Sequence, residues 1–172
     1  EARLPGSTGV LNMAFKINRL LYATDLGPRG PDVFRCAASI ADQYGADIHI
    51  VHVIEEPSII RNNIAERYIS SSVLGGYRES TLDQAISEIK RRLEQFSRST
   101  LESEEAVNAR VAEIRVLTGR PGRTILAEAD HIDADCIVLG SRRYAGVNDM
   151  IIGSVARKVT LKSRRPVFLF PV

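Results

Sequence analysis

The sequence is poor in the residues that usually mark metal sites and secreted proteins. Its 172 residues include two cysteines, three histidines and no tryptophan. Cys36 and Cys136 both lie inside apolar patterns, so we predict two reduced core residues instead of a disulfide, and a cytoplasmic location. No cluster of cysteine and histidine has the spacing of zinc ligands, and we therefore expect no metal bound directly by protein side chains.

Long hydrophobic runs and a strong charge bias are also missing. No apolar stretch approaches the roughly 20 residues that a membrane helix needs, so we expect no membrane partner. The net charge is only +2, which argues against a dedicated nucleic-acid-binding protein. A chain of this length buries a sizeable core as one domain without disulfides or metals.

The first residues do not follow the pattern of the rest. Residues 1–12 are rich in turn-forming residues and lack periodicity, whereas Met13 begins a stretch typical of a natural translation start. We interpret residues 1–12 as a tail added for expression and residues 13–172 as a single domain. The tail lacks the apolar segment and cleavage site of a signal peptide.

Apolar segments with two different periods alternate along the remaining chain. Short runs rich in β-branched residues predict strands, and apolar residues three and four apart predict helices between them. The predicted strands cover residues 20–23, 48–54, 111–117, 136–139 and 166–171. Four predicted helices separate them, the first ended by Gly45 and the third begun by Pro121, while residues 55–78 form a long unpatterned excursion. The alternation predicts an α/β fold, a five-stranded parallel sheet with helices on both faces.

The carboxyl third contains a pattern typical of an anion site. The apolar run 136–139 stops at Gly140, a polar loop follows, and Gly153 and Ser154 open the last predicted helix. The unpaired amides and the dipole of a helix start attract phosphate, so the sequence predicts a nucleotide-binding site. Asp25 ends the first predicted strand and lines the same crevice if the two strands are neighbours. A plain turn or helix-capping role for Asp25 is an equally good interpretation.

The histidines and the familiar catalytic motifs add no second site. His49 and His52 are three residues apart in one predicted strand, so they face opposite sides of the sheet and cannot share a metal. His131 is interpreted as a capping or surface residue. No P-loop or dinucleotide fingerprint is present, and no Ser, His and Asp set has the motif context of a hydrolase.

At these residues the chain resembles the universal stress protein family, whose ATP-binding members carry the motif G-x2-G-x9-G-[ST]. Gly140 matches the first glycine, Gly153 the third, and Ser154 the final hydroxyl residue. Segments 20–25, 50–54, 116–121 and 166–170 also resemble the family's strands and turns, so the resemblance extends over nearly all of residues 13–172. It implies the adenine nucleotide alpha-hydrolase-like fold, with strand order 3-2-1-4-5.

The resemblance also implies roles for individual residues. The set implied for the adenine and ribose consists of Ala23, Thr24, Asp25, Val53 and Leu139, with Gly140 close under the ribose. The set implied for the phosphates consists of Gly153, Ser154 and the amide of Val155, with Arg142 and Arg143 in the preceding loop.

The chain departs from the family motif at the middle glycine, which is Arg143 here. An arginine offers a charged fork suited to phosphate, but its side chain takes space where glycine lets the backbone approach closely. Arg143 therefore either binds the phosphates or fills the site and abolishes binding, and Arg142 keeps the loop positive in both cases. Two solvated loop charges without a role are the third interpretation.

These observations lead us to expect a stress-response protein that binds ATP, with Mg²⁺ held through the phosphate oxygens. We expect a regulatory or sensing module without efficient turnover, because no general base is evident near the phosphate loop. Slow ATPase activity or self-phosphorylation at Ser141 or Ser154 stays open. The resemblance implies a homodimer through the last strand, whose apolar edge would otherwise invite uncontrolled pairing.

Two other functional classes are compatible with the pattern. The first is a dimeric interaction protein that has lost nucleotide binding because Arg143 occupies the phosphate space, with a partner surface in residues 55–78. The second is another doubly wound module, either a flavin binder or a phospho-receiver with Asp25 as acceptor. It has less support, because the acidic cluster and reactive lysine of a receiver are missing near Asp25.

Overall fold

The computed structural model describes residues 15–55, 80–100, 110–141 and 152–172, and strands and helices alternate along them. The tail 1–12, nearly all of the excursion 55–78, and the loop residues Arg142 and Arg143 lie outside the described residues. The elements in chain order are β1 (Arg19–Thr24), α1 (Gly30–Tyr44), β2 (Asp47–Ile54), α2 (Ser80–Thr100), β3 (Val111–Thr118), α3 (Pro121–His131), β4 (Cys136–Ser141), α4 (Ser154–Lys162) and β5 (Val167–Pro171).

The strands form one parallel sheet in the order β3-β2-β1-β4-β5, which confirms the predicted fold class and strand order. β1 is the central strand, with Leu20 paired to Ile48 of β2 on one side and to Cys136 of β4 on the other. The chain first builds the sheet from β1 through β2 to β3 and then crosses to the other side of β1. The topological switch point therefore lies between β1 and β4.

Alternating side chains of the sheet pack into two separate cores. Leu20 and Tyr22 of β1 belong to the core under α1 and α2, together with Phe34 and Leu93. Leu21 and Ala23 belong to the opposite core under α3 and α4, whose buried helix residues are Ile125, Ala129, Ala156 and Val159. Burial on both faces explains why the strands are near-continuous apolar runs in the sequence.

The helices obey the local signals read from the sequence. Gly45 ends α1 in the left-handed conformation with φ of 68°, and its amide donates to the carbonyl of Asp42. On α2 the predicted apolar side packs inward, and the opposite side carries Glu88, which binds Arg91 and Arg92 at 2.8 Å each. In α4 Val159 is buried, whereas Val155 is half-buried.

The predicted end of β4 at residue 139 is wrong by two residues. The strand continues through Gly140 and Ser141, which pair with Phe170 and Pro171 of β5. The amide of Val172 also donates to the carbonyl of Ser141 at 3.0 Å. Pairing with a neighbouring strand thus overrides the low strand propensity of glycine.

Predicted absences can be compared only with the described part of the chain. There both cysteines are free, Cys36 half-buried and Cys136 buried. Within the same ranges, no helix is long and apolar enough to cross a membrane, and no cluster of three metal-binding side chains occurs.

Candidate functional site

Charged side chains satisfy polar groups at the end of the sheet where β1 and β4 begin. At the amino edge, one carboxylate oxygen of Asp135 accepts the amides of Asn18 and Arg19 at 2.7 and 2.9 Å. The guanidinium of Arg19 also binds Asp133 at 2.9 Å. The protein's own charged side chains therefore hold the turns before β1 and β4.

Three of the residues implied for an adenine pocket share one face of the sheet. Ala23 is paired with Val51 of β2 and with Leu139 of β4, so these strand ends lie side by side. Ala23, Leu139 and the half-buried Val53 all belong to the core under α3 and α4. The structure thus brings together the apolar part of the predicted site.

Thr24 and Asp25 form a tight turn where β1 ends. The Thr24 hydroxyl accepts the amide of Leu26 at 3.1 Å, and a carboxylate oxygen of Asp25 accepts the amide of Gly27 at 2.9 Å. Leu26 has a φ of 57°, a left-handed backbone conformation that residues other than glycine seldom adopt. The turn role considered for Asp25 is therefore present, and its exposed carboxylate lies at the switch point.

His52 supports this turn, a role that the sequence interpretation missed. Its ring nitrogen Nδ1 lies 2.9 Å from the carbonyl oxygen of Thr24, the residue paired with it across β1 and β2. Burial lowers the pKa of His52, against the opposing effects of the Thr24 carbonyl and the Asp25 charge. Both strands were predicted, but placing His52 beside Thr24 also requires the register between β1 and β2.

Tyr22 links the same turn to the start of α1. Its hydroxyl donates to the carbonyl of Gly30 at 3.1 Å. Burial raises the pKa of Tyr22 to about 12, so the phenol stays protonated and keeps donating. The amide of Gly30 in turn donates to the carbonyl of Gly27 at 2.9 Å, which closes the loop between β1 and α1.

Gly140 lies where the side chains of Val33 and Val172 leave little room for a Cβ atom. A Cβ atom at this position would lie 3.2 Å from a methyl group of Val172 and 3.4 Å from a methyl group of Val33. Packing between β4, α1 and the end of the chain is therefore enough to favour glycine here. The close approach to a ribose, implied by the resemblance, stays a prediction.

The start of α4 is the predicted phosphate-binding element. Gly153 is the N-cap residue, with extended backbone angles of −53° and 148°, and no side chain of the described residues caps the helix. The first turn contains no acidic residue, and Ser154 is exposed. An N-terminus with these properties presents amides and a positive dipole end to an anion. Arg142 and Arg143, also assigned to this site from the sequence, lie outside the described residues.

Together these features define a doubly wound α/β protein whose topological switch point lies between β1 and β4. Comparison with known proteins specifies the class. The model of the universal stress protein family matches residues 16–171, and the chain therefore belongs to this family.

Individual relatives agree over most of their length. A curated relative from Thermus aquaticus, named as a universal stress protein in the QAH/OAS sulfhydrylase 3′ region, is 33% identical over 150 residues, which cover 87% of this chain and 96% of the relative. The universal stress protein of Archaeoglobus fulgidus in complex with dAMP has a TM-score of 0.56 at 23% identity and covers 90% of this chain and 98% of its own. A universal stress protein in complex with cAMP has a TM-score of 0.57 at 19% identity and covers 89% of this chain and 96% of its own.

Proposed function

We propose that this chain binds an adenine nucleotide, foremost ATP with Mg²⁺, at the crevice between β1 and β4. The nucleotide would make the protein a regulatory or sensing module of the stress response without efficient turnover. The observation that carries the proposal is the start of α4 at Gly153 and Ser154, which has neither a capping side chain nor an acidic first turn at the switch point.

The apolar end of the crevice supports an adenine base in particular. The half-buried Val53 packs with the buried Ala23 and Leu139, and the exposed Asp25 can accept hydrogen bonds from a ribose. The related structures that hold dAMP and cAMP support the same choice, because both ligands carry adenine. Mg²⁺ would be held through the phosphate oxygens, since in nucleotide sites this ion usually binds the phosphates of the substrate.

Binding without efficient turnover fits the groups found at this edge. The Asp25 carboxylate accepts an amide of its own turn, and His52 Nδ1 is bonded to the Thr24 carbonyl. These bonds engage both groups within the turn after β1, which supports a binding role. We therefore propose a binding protein and not an ATPase, to be checked by phosphate release in the presence of excess ATP.

The second candidate function is that of a dimeric interaction protein. It is favoured by Phe168, which is 40% exposed on β5, a strand that pairs only with β4 among the strands the structure describes. An apolar edge strand is a ready partner for another chain. We propose the homodimer through β5 for both candidates, and nucleotide binding distinguishes between them.

The direct test is thermal unfolding with ATP·Mg²⁺, AMP, cAMP or GTP at increasing concentration. A ligand specific for the folded state, at about a hundred times its dissociation constant, adds about 2.7 kcal/mol, which corresponds to roughly 5–10 °C for a chain of this size. We expect this shift with ATP·Mg²⁺ and a much smaller one with GTP. No shift with any adenine nucleotide would overturn the proposal in favour of the interaction protein.

Variants at two positions, Gly153 and Arg143, locate the site. Gly153→Asp and Gly153→Asn both supply a good N-cap, but only the aspartate adds a negative charge where phosphate should bind. We expect the aspartate variant to lose the ATP shift and the asparagine variant to keep more of it. Arg143→Gly asks the separate question that the sequence left open: weaker binding makes Arg143 a phosphate ligand, whereas binding gained only in the variant means that Arg143 closes the site.

A further inference from the structure

The carboxyl end of β1 is held by a side chain of the neighbouring strand. His52 is 4% exposed, and its Nδ1 atom lies 2.9 Å from the carbonyl oxygen of Thr24. A carbonyl oxygen only accepts hydrogen bonds, which assigns the proton to Nδ1 and makes His52 the donor. The imidazole therefore ties β2 to β1 at the residue where the paired part of β1 ends.

The Thr24 carbonyl lies next to two further hydrogen bonds of the same turn. The Thr24 hydroxyl holds the amide of Leu26, and the Asp25 carboxylate holds the amide of Gly27. A Cβ atom at Gly27 would lie 2.9 Å from that carboxylate oxygen, so the Asp25 side chain is folded closely over the turn. The position of the Asp25 carboxylate thus depends on the direction in which the chain leaves Thr24.

We propose that His52 is a positioning residue of the nucleotide site, because its bond to the Thr24 carbonyl fixes the turn that presents Asp25 to the ligand. The inference rests on the proposed nucleotide binding at this crevice. His52 belongs to the sheet face under α1 and α2, opposite to Ala23 and Val53, so it acts through Thr24 and does not touch the nucleotide. The lowered pKa caused by burial agrees with a neutral imidazole that serves as a fixed donor.

The test compares two substitutions that differ in one hydrogen bond. In His52→Asn the side-chain amide places a donor near the former Nδ1 position, whereas His52→Leu leaves the Thr24 carbonyl without this donor. We expect the dissociation constant for ATP·Mg²⁺, measured by calorimetry well below the unfolding temperature, to rise about tenfold in the leucine variant. The asparagine variant should stay within about threefold of the wild type. If His52→Leu does not fold, His52→Gln, whose donor is one bond further out, takes its place.

Amide hydrogen exchange supplies a readout that does not need the ligand. The amides of Leu26 and Gly27 should exchange faster in His52→Leu than in His52→Asn, while amides in the middle of β4 keep their protection. Ile17→Ala is the control for lost stability, because Ile17 is buried ahead of β1 at the opposite end of this strand. Its nucleotide affinity should equal that of the wild type at temperatures where it is folded.

The outcomes separate this inference from the proposed function. If the wild type binds no nucleotide, the proposed function fails and the role of His52 at its site fails with it. If the wild type binds and His52→Leu binds equally well, only the role of His52 is overturned. Equal losses of affinity in the asparagine and leucine variants would also overturn it, since restoring the donor would then have no effect.

Discussion

At the scale of single residues, the neighbouring strands β4 and β1 each bury a weakly acidic side chain, the thiol of Cys136 and the phenol of Tyr22. Burial raises the pKa of Cys136 to about 12, and the nearby charge of Asp135 acts in the same direction. Burial likewise raises the pKa of Tyr22 to about 12. Both groups therefore stay protonated in the folded state at pH values where an exposed thiol already ionises.

This burial predicts a loss of stability in mild alkali. Above about pH 9 the Cys136 thiol ionises in the unfolded chain but not in the folded one, so the unfolded state holds fewer protons and the free energy of unfolding falls as pH rises. One such group contributes a slope of at most about 1.4 kcal/mol per pH unit. Urea unfolding at pH 8, 9 and 10 under reducing conditions measures the slope.

The variant Cys136→Ala should be less stable at every pH, because it leaves a small cavity, but its stability should fall less steeply between pH 9 and 10. Cys36→Ala is the matched control, since Cys36 is only half-buried on α1. An unchanged slope in Cys136→Ala would contradict the assignment to this thiol.

Some residue roles could be predicted from the sequence and others could not. Gly45 was recognisable because a helix end favours glycine for its backbone conformation alone, and no atom lies within 4 Å of where its Cβ would be. Gly140 was interpreted as a strand end and a ligand contact, whereas its place against Val172 and Val33 depends on chain segments distant in sequence. The contact of His52 with Thr24 depends on strand register, which a periodic pattern does not report.

At the scale of elements, the start of α3 carries positive side chains at the positive end of its helix dipole. Arg120 is the N-cap residue, Arg123 lies in the first turn, and neither a capping side chain nor an acidic residue is present there. Lys158 of α4 packs over this turn as well, since a Cβ atom at Gly122 would lie 2.9 Å from its Cδ atom. Positive side chains next to the positive end of a helix dipole are unfavourable.

We therefore predict that Arg120→Ser stabilises the protein. Arg120 has extended backbone angles of −82° and 111°, which suit a capping serine. A serine cap at this place is worth about 1 kcal/mol, and removing the charge from the dipole adds to it. Thermal unfolding should give a melting temperature about 2–4 °C higher. Arg120→Gln removes the charge without supplying a good cap, and a serine variant no more stable than the glutamine variant would contradict the capping argument.

The positions of strands and helices were predictable because their burial requires apolar residues in recognisable patterns along the sequence. β1, β4 and β5 are each apolar over four consecutive residues, and the helices carry their buried apolar residues on one side. Polar pairs between elements leave no such pattern: Arg115 of β3 binds the buried Glu128 of α3 at 2.8 Å, and nothing local marks the two as partners. The end of β4 at Ser141 was missed for the same reason, because β5 determines it.

At the scale of the whole molecule, β5 leaves one edge of the sheet uncovered by another strand of the described chain. Phe168 at this edge is 40% exposed. If the edge is the dimer interface, Phe168→Glu should convert the dimer to a monomer in sedimentation velocity, because a buried unpaired carboxylate is costly at an interface. The folded state should persist, since the residue is exposed in the single chain.

Leu161→Glu is the control for this experiment. Leu161 is 68% exposed, but it lies on the surface of α4 and not on the edge strand. We expect this variant to sediment as the wild type does. A wild type that is monomeric at micromolar concentration, or a dimer that survives Phe168→Glu, would contradict pairing through β5.

The central place of β1 has a consequence for the protein during its synthesis. The strand leaves the ribosome first among the five, yet its partner β4 is completed only at Ser141. Until then Leu21 and Ala23, buried in the finished molecule, belong to a half-sheet of β1, β2 and β3 with one open, apolar edge. During synthesis the central strand β1 therefore exposes an apolar edge that β4 covers in the finished molecule. Chains released before residue 136 should aggregate instead of folding.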